Sequence, residues 1–251
     1  MTIRSAANNA SHDKEAFGEK RARKSESVFQ DLMGRILTGE LKPDSAMTEQ
    51  SLAQEYACSQ STIREALMHL QECGLVVRKG YQGTFVTDPS LAEALLLLRL
   101  RVNTEIAGIS EAAKSITPCQ VLELRDLDRQ FQEARSQRDI FACAEIDREF
   151  HLQIFRYSGM SALEPLLVRT LVMLQRITLA TPRPDDSWSH PNIVQHDRVL
   201  DALEAKNSEA AVSALKAHVF SSATLLAPHF YGEDTAKLQA HHELETGPIS
   251  F

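Results

Sequence analysis

The stretch Ser59-Gln-Ser-Thr-Ile-Arg-Glu-Ala-Leu-Met-His-Leu-Gln-Glu-Cys-Gly74 leaves the chain few choices. Ile63, Ala66, Leu67 and Leu70 recur at helical spacing, so a helix here must bury one face against a partner. Gly74 ends it, since glycine enters the left-handed conformation beyond a helix without Cβ strain. Outside the apolar stripe, the start of the helix carries Gln60, Ser61, Thr62 and Arg64. Short hydrogen-bonding side chains and one Arg at a helix start suit entry into a DNA major groove.

The flanking sequence supplies the partners. A helical pattern runs from Ser25 through Val28, Leu32, Ile36 and Leu37 to Gly39, and Leu41-Lys-Pro-Asp-Ser45 reads as a turn. Thr48 is placed to cap a short helix holding Leu52, Ala53 and Tyr56. Leu75-Val-Val-Arg-Lys79 and Thr84-Phe-Val-Thr87 are β-rich runs around Gly80-Tyr-Gln-Gly83, the pattern of a hairpin with glycines at its tip. Three helices and a hairpin within residues 25–89 predict a winged helix-turn-helix. Taken alone, the polar-faced helix equally fits the surface of a helical bundle; the ordered set separates the two. Residues 1–24 are polar, end in Lys20-Arg-Ala-Arg-Lys24 and are expected to form a disordered basic tail.

Beyond Pro89 the pattern is helical throughout. Apolar stripes predict helices near 91–115, 118–137, 139–158, 161–181, 191–206 and 208–227, parted by breakers such as Thr117-Pro118, Ser158-Gly159 and Lys206-Asn207. The expected fold is mainly α: the winged domain, then an antiparallel α-helical bundle over 90–230, then a polar tail over 231–251. Charge alone does not mark a nucleic-acid binder, with 11 Lys and Arg against 12 Asp and Glu up to Asp88 and 16 against 22 beyond it. The four cysteines, Cys58, Cys73, Cys119 and Cys143, form no CxxC pair and read as buried or half-buried thiols of a reducing, cytoplasmic setting. No apolar run reaches membrane-spanning length; Leu95-Leu-Leu-Leu98 is broken at once by Arg99 and Arg101.

Within the bundle, four polar groups fall on apolar faces. Asp147 and His151 are four apart, beside Phe150 and Ile154. His196 shares a face with Ile193, Val199, Leu200 and Leu203, and His218 one with Ala211, Leu215 and Leu225. Singly, each is most simply a hydrogen-bonded core residue. Together they bring one carboxylate and three imidazoles into one interior, where each must be hydrogen-bonded, neutral or metal-bound. Such a donor set suits Zn²⁺, with Ni²⁺, Mn²⁺ or Fe²⁺ as alternatives.

The ordered motifs are similar to those of the GntR family of bacterial transcription regulators. They are Gly39-Glu-Leu-Lys-Pro43, Leu52-Ala53, the run from Ser59 through Arg64-Glu-Ala-Leu67 to Gly74-Leu-Val76, and Gly83-Thr-Phe-Val86. The resemblance implies that Arg64 contacts operator DNA with Ser59, Gln60, Ser61 and Thr62 beside it, and that Lys79 and Gly80 lie near a wing tip reaching the minor groove. Asp44 departs from the family's usual Gly after Pro, and Tyr81-Gln82 stand where an Arg is common. The bundle resembles the FCD ligand-binding domain of FadR-type members. That likeness implies a metal set of Asp147, His151, His196 and His218, matched by the Asp-x₃-His and His-x₂₁-His spacings. Arg101-x₃-Glu105 resembles the first-helix motif in which the Arg meets an effector carboxylate; an ion pair within the helix fits the same spacing.

These readings make the chain a homodimeric, repressor-type transcription factor. It would bind a pseudo-palindromic operator in double-stranded DNA and respond to a small carboxylate metabolite, with no membrane association. The competing expectation is a metal-dependent enzyme acting on a small organic acid, its metal activating water. The winged domain and the lack of a separate general base argue against it.

Overall fold

The computed structural model describes residues 4–180 and 195–226, and side chains from residue 21 onward. The expected tail over 231–251 lies outside these residues. The chain forms two compact units, Met1–Asp88 and Pro89–Phe251, dividing at the proline where the pattern changes.

In the first unit α1 spans Arg4–Leu37, so the helix starts at Arg4 where a disordered segment to residue 24 was expected. Val28, Leu32, Met33, Ile36 and Leu37 are buried at its C-terminal end, which Gly39 closes at φ 78°. The short helix α2 (Glu49–Glu55) begins as expected at Thr48, whose hydroxyl accepts from the Ser51 amide at 3.2 Å. Helix α3 (Gln60–Glu72) is capped by Ser59, which accepts from the Thr62 amide at 3.2 Å. Its buried Ile63, Ala66, Leu67 and Leu70 make the apolar stripe that packs against α1 and α2. The hairpin strands are β2 (Val76–Arg78) and β3 (Thr84–Val86), and the chain adds a strand that went unread, β1 (Ala46–Met47). The sheet order is β1-β3-β2, all antiparallel, with Ala46 opposite Phe85 and Val77 opposite Phe85 from the other side. Two residues are too few for an alternation to show in sequence.

The second unit is helical over its described residues. Helices α4 (Leu91–Ser115), α5 (Pro118–Ser136), α6 (Ile140–Tyr157), α7 (Glu164–Ala180), α8 (Asp197–Glu204) and α9 (Ser208–Leu226) fall close to the predicted spans. Capping boxes open α4 at Ser90 and Glu93, and α5 at Thr117 and Gln120, satisfying amide groups that the first turn leaves free. The exception is α8: a helix over 191–206 was expected, but it begins at Asp197, with His196 at the N-cap and residues 191–194 outside the described region. The core joins Leu98, Val102 and Ile109 of α4 to Phe150 and Ile154 of α6, Leu174 and Ile177 of α7, Leu200 and Leu203 of α8, and Leu215 and Val219 of α9. Gly108 lets α4 approach α6, because a Cβ there would meet the Phe155 ring at 2.4 Å. Cys119 is exposed, against the expectation of a buried thiol, and Cys143 is buried.

Candidate metal centre and nucleic-acid interface

Asp147 and His151 come from one face of α6, His196 from the residue before α8, and His218 from the middle of α9. The three imidazoles are 1–3% exposed, and one donor atom from each of the four residues lies within 4.8 Å of the others. The converging atoms are three Nε2 nitrogens and one carboxylate oxygen. His196 Nε2 is 3.2 Å from Asp147 Oδ1, His218 Nε2 3.5 Å and His151 Nε2 3.8 Å, with 3.1 Å between the Nε2 atoms of His151 and His218. A tetrahedral ion with bonds of about 2.0–2.1 Å keeps its ligand atoms roughly 3.3 Å apart, within this spread.

The outer nitrogens decide which ring atoms the cluster presents inward. His151 Nδ1 meets Glu105 Oε2, and His196 Nδ1 lies 3.0 Å from Asp128 Oδ1. An ionised carboxylate only accepts, so each ring spends its Nδ1 hydrogen there, and the neutral tautomer leaves Nε2 bare. Bare His196 Nε2 then faces Asp147 Oδ1, a second acceptor, at 3.2 Å. Two acceptors at that distance repel unless a positive charge lies between them. A proton serves one pair; a divalent ion serves all four donors.

The titration behaviour follows the same charges. Burial pushes the Asp147 carboxyl up, but His151, His196 and His218 outweigh it and hold it well below the usual carboxylate range. Burial likewise opposes ionisation of Glu105, yet His151 and Arg101 bring it down to about 2. Asp128 is lowered because the His196 contact overcomes its burial. Burial drives His218 down to about 4, against its contact with Asp147. His196 moves the other way: despite burial, bonds to Asp128 and Asp147 raise it.

Arg101 donates from Nε to Glu105 Oε1 at 2.6 Å, the expected ion pair within α4. It also lines a pocket that is partly open to solvent. Asp147, Gln175, Thr178 and Ser222 share that wall with Leu98 and Leu174, so one carboxylate of the cluster borders the cavity. Among the described residues, the Ser222 hydroxyl is buried without a hydrogen-bond partner. A mainly apolar lining with a few convergent polar groups suits a small polar ligand.

Glu105 and Asp128 as partners of the histidines were not read from the sequence. The signal was there: each is an acid on an apolar helix face, Glu105 near Val102 and Ile109, Asp128 near Leu124 and Phe131. Acids at such positions need partners.

In the first unit Gln60 and Arg64 are exposed at the start of α3, with Ser61 half-buried. Thr62 is buried, its hydroxyl 2.9 Å from that of Ser59, so it braces the cap from inside. Arg64 is 57% exposed and grips Glu49 of α2 with two bonds, Nε to Oε1 at 3.0 Å and Nη2 to Oε2 at 2.6 Å. Lys79 and Gly80 lie at the hairpin turn, where the Lys79 amide donates to the Gly83 carbonyl at 2.9 Å and Tyr81 is wholly exposed. The Lys79 ammonium is 2.9 Å from Asp44 Oδ1 and 4.9 Å from the centre of the Phe85 ring. Asp44, where the family pattern has glycine, takes φ 58°.

Comparison with known proteins covers both units. Residues 24–86 match the family described as bacterial regulatory proteins, gntR family, and residues 96–221 match the FCD domain. Over 218 residues the chain is 28% identical to the HTH-type transcriptional regulator LutR of Bacillus subtilis, spanning 78% of this chain and 97% of LutR. It is 27% identical to the HTH-type transcriptional regulator McbR of Escherichia coli over 186 residues, 72% of this chain and 83% of McbR. The solved structure of E. coli McbR/YncC superposes with a TM-score of 0.70 at 23% identity, covering 82% of this chain and 98% of that one. A putative GntR regulator from Rhodococcus sp. RHA1 gives 0.65 at 22% identity, covering 81% and 97%. Both share the fold.

Proposed function

The chain belongs to the gntR family of bacterial regulatory proteins, among members with an FCD domain, and from that premise we propose that it is a metabolite-responsive repressor binding a pseudo-palindromic operator as a homodimer. It is a DNA-binding transcriptional regulator and not an enzyme. The start of α3, with Gln60, Ser61 and Arg64, enters the major groove, and the turn at Lys79 and Gly80 meets the minor groove. Thr62 acts through the Ser59 cap rather than by touching DNA. Leu96 and Leu100 of α4, Leu163 just before α7 and Leu166 in its first turn are exposed apolar groups, and α4 and α7 pack together, which supports a second copy as the partner.

The observation that carries the regulatory reading is the four-donor cluster beside the cavity. Asp147, His151, His196 and His218 would hold a divalent ion, most suitably Zn²⁺; Glu105 and Asp128 orient two of the rings through Nδ1. A bound ion supplies a Lewis-acidic position for the carboxylate of a small metabolite. Arg101 places a guanidinium on the same cavity wall, and Ser222 offers an unused hydroxyl. The effector changes DNA affinity only by as much as it binds one dimer state better than the other.

Metal analysis of protein made without an affinity tag tests this reading, together with thermal-shift screening of small carboxylic acids. About one divalent ion per chain is expected, with acids raising Tm in metal-loaded protein and not after chelation. Protein that neither contains a divalent ion nor gains Tm with added zinc overturns the site. The pH dependence has a definite sign. Asp128 and Asp147 raise His196, so it keeps its proton to higher pH than a free imidazole and must lose it to bind metal, whereas His218 is lowered to about 4. Zinc affinity, measured by competition with a chelating dye, should therefore fall as pH drops from about 8 to about 6.

Asp44 gives a second expectation, at the wing. It neutralises Lys79, which DNA must then recapture. Asp44→Asn should steepen the salt dependence of DNA binding by about 0.9 per protomer, one added phosphate contact. Stability should move by no more than about 0.5 kcal/mol, because the pair is exposed. Unchanged salt dependence removes Lys79 from the interface.

A further inference from the structure

Arg64 sits where it is expected to face DNA, yet it is already engaged by a carboxylate. The guanidinium has two edges that present paired N–H groups. Glu49 occupies the Nε–Nη2 edge with both oxygens, at 3.0 and 2.6 Å. The Nη1–Nη2 edge remains, on a side chain 57% exposed. Glu49 is itself anchored: it is the first residue of α2, behind the Thr48 cap, and its side chain is only 27% exposed. Helices α2 and α3 pack on each other, so the carboxylate has a fixed place relative to the α3 backbone.

A planar donor held along one edge has its other edge aimed. Two parallel N–H groups are what guanine O6 and N7 accept in the major groove. The carboxylate also cancels the charge of the arginine, and charge is what makes a loose arginine bind any phosphate. A base contact made by paired hydrogen bonds survives that cancellation better than a phosphate contact does. We propose that Glu49 is a specificity-determining positioning residue: by gripping the Nε–Nη2 edge of Arg64 it fixes the opposite edge as a guanine reader and withholds the arginine from non-specific phosphate binding. This rests on the reading that the start of α3 enters the major groove.

Glu49→Gln keeps the size of the side chain but leaves one acceptor, and its amide group turns donors toward the guanidinium. The experiment uses the full-length dimer and selection from a randomised duplex library, comparing the natural chain with Glu49→Gln and Arg64→Ala. The natural chain should select a two-fold site containing one guanine per half-site that Arg64→Ala no longer selects. Glu49→Gln should reduce the preference at that same guanine by about 5- to 150-fold, the range for one bidentate base contact, and leave the other positions unchanged. On a mixed-sequence duplex it should bind more tightly, with a salt dependence steeper by about 0.9 per protomer. A side chain that merely supported the fold would produce neither shift.

The outcomes separate the proposal from its premise. If Arg64→Ala selects the same site as the natural chain, the major-groove reading of Arg64 fails, and the proposal with it. If Arg64→Ala loses the guanine while Glu49→Gln keeps it and leaves the salt dependence alone, the premise stands and the role of Glu49 is wrong. The double variant Glu49→Gln/Arg64→Ala supplies a third readout. It should bind mixed-sequence DNA more tightly than Arg64→Ala alone, because the single variant leaves an unpaired carboxylate facing the phosphates. Equal or weaker binding by the double variant counts against the proposal.

Discussion

Replacing His151 and His218 together with alanine is expected to reduce bound divalent metal from about one ion per chain to none. Each residue supplies an Nε2 to the cluster, and the two nitrogens are 3.1 Å apart, so their loss leaves only Asp147 and His196. Two ligands do not make a closed site, and chelation by the pair falls far short of a zinc centre. The second readout is thermal. Free zinc at about 1,000 times its Kd stabilises a folded protein by about 4 kcal/mol, which is roughly 8–16 °C in Tm for a unit of this size. The natural chain should show that rise and the double variant none. An exposed histidine outside the cluster is the control: His69→Ala, on α3, should keep the full response. The same variants separate two roles for the metal. If the double variant loses the ion and its response to carboxylic acids, the ion takes part in effector binding. If it loses the ion yet still responds, the ion is structural and the effector depends on Arg101 and the cavity alone. A double variant that retains a full complement of metal refutes the ligand set.

Much of this molecule was legible because its elements announce themselves locally. The stripe of Ile63, Ala66, Leu67 and Leu70 required a buried helix face, and all four are buried. Thr48 stood where a hydroxyl caps a helix, and it accepts from the Ser51 amide three residues on. The helices of the bundle could be bounded because Pro118, Gly159 and Asn207 interrupt strong apolar periodicity. What escaped depends on geometry between elements. Strand β1 exists only because β3 offers an edge to Ala46 and Met47, and no local pattern encodes that pairing. His196 looked like a residue inside a helix, but it precedes α8, so its ring is directed by neighbours rather than by helical register. Thr62 fell on the polar side of a helical wheel, yet its short side chain folds back onto Ser59.

The candidate site divides in the same way. Asp147 and His151 were joined by their spacing on one helix, and His196 and His218 by their places on the apolar faces of two others, with the resemblance to the FCD domain naming the same four as one set. The chain's own geometry then gathers all four. The outer partners are another matter. Arg101 and Glu105 read as a pair, but that Glu105 turns its second oxygen to His151 follows only from the packing of α4 against α6. Asp128 reaches His196 across the contact between α5 and the start of α8. Glu49 and Arg64 are fifteen residues apart on different helices, and only the crossing of α2 and α3 sets the carboxylate along the guanidinium edge.

Phe150→Ala is the substitution expected to cost the most stability, and its effect should reach the metal site. Phe150 is wholly buried among helices α4, α6, α8 and α9. Truncating such a side chain loses its transfer free energy and leaves a cavity, about 3–5 kcal/mol together. For a unit of this size that is a fall in Tm of roughly 6–20 °C. The ring also stacks on His196, with centroids 4.1 Å apart and planes inclined by 20°, and meets His151 edge-on at 5.8 Å. The ring stack, the Phe131 ring with its centroid 5.0 Å away and the Asp128 bond together hold the His196 imidazole in place. Zinc affinity should therefore fall as well, by the roughly 10- to 100-fold typical of losing support behind a ligand. Calorimetry on chelated protein isolates the packing term, and a dye-competition titration isolates the affinity. Phe150→Leu refills most of the volume without the stack, so it should recover most of the Tm and little of the zinc affinity. Recovery of both by leucine would show that the ring acts as core alone and that Asp128 and Phe131 suffice to orient His196.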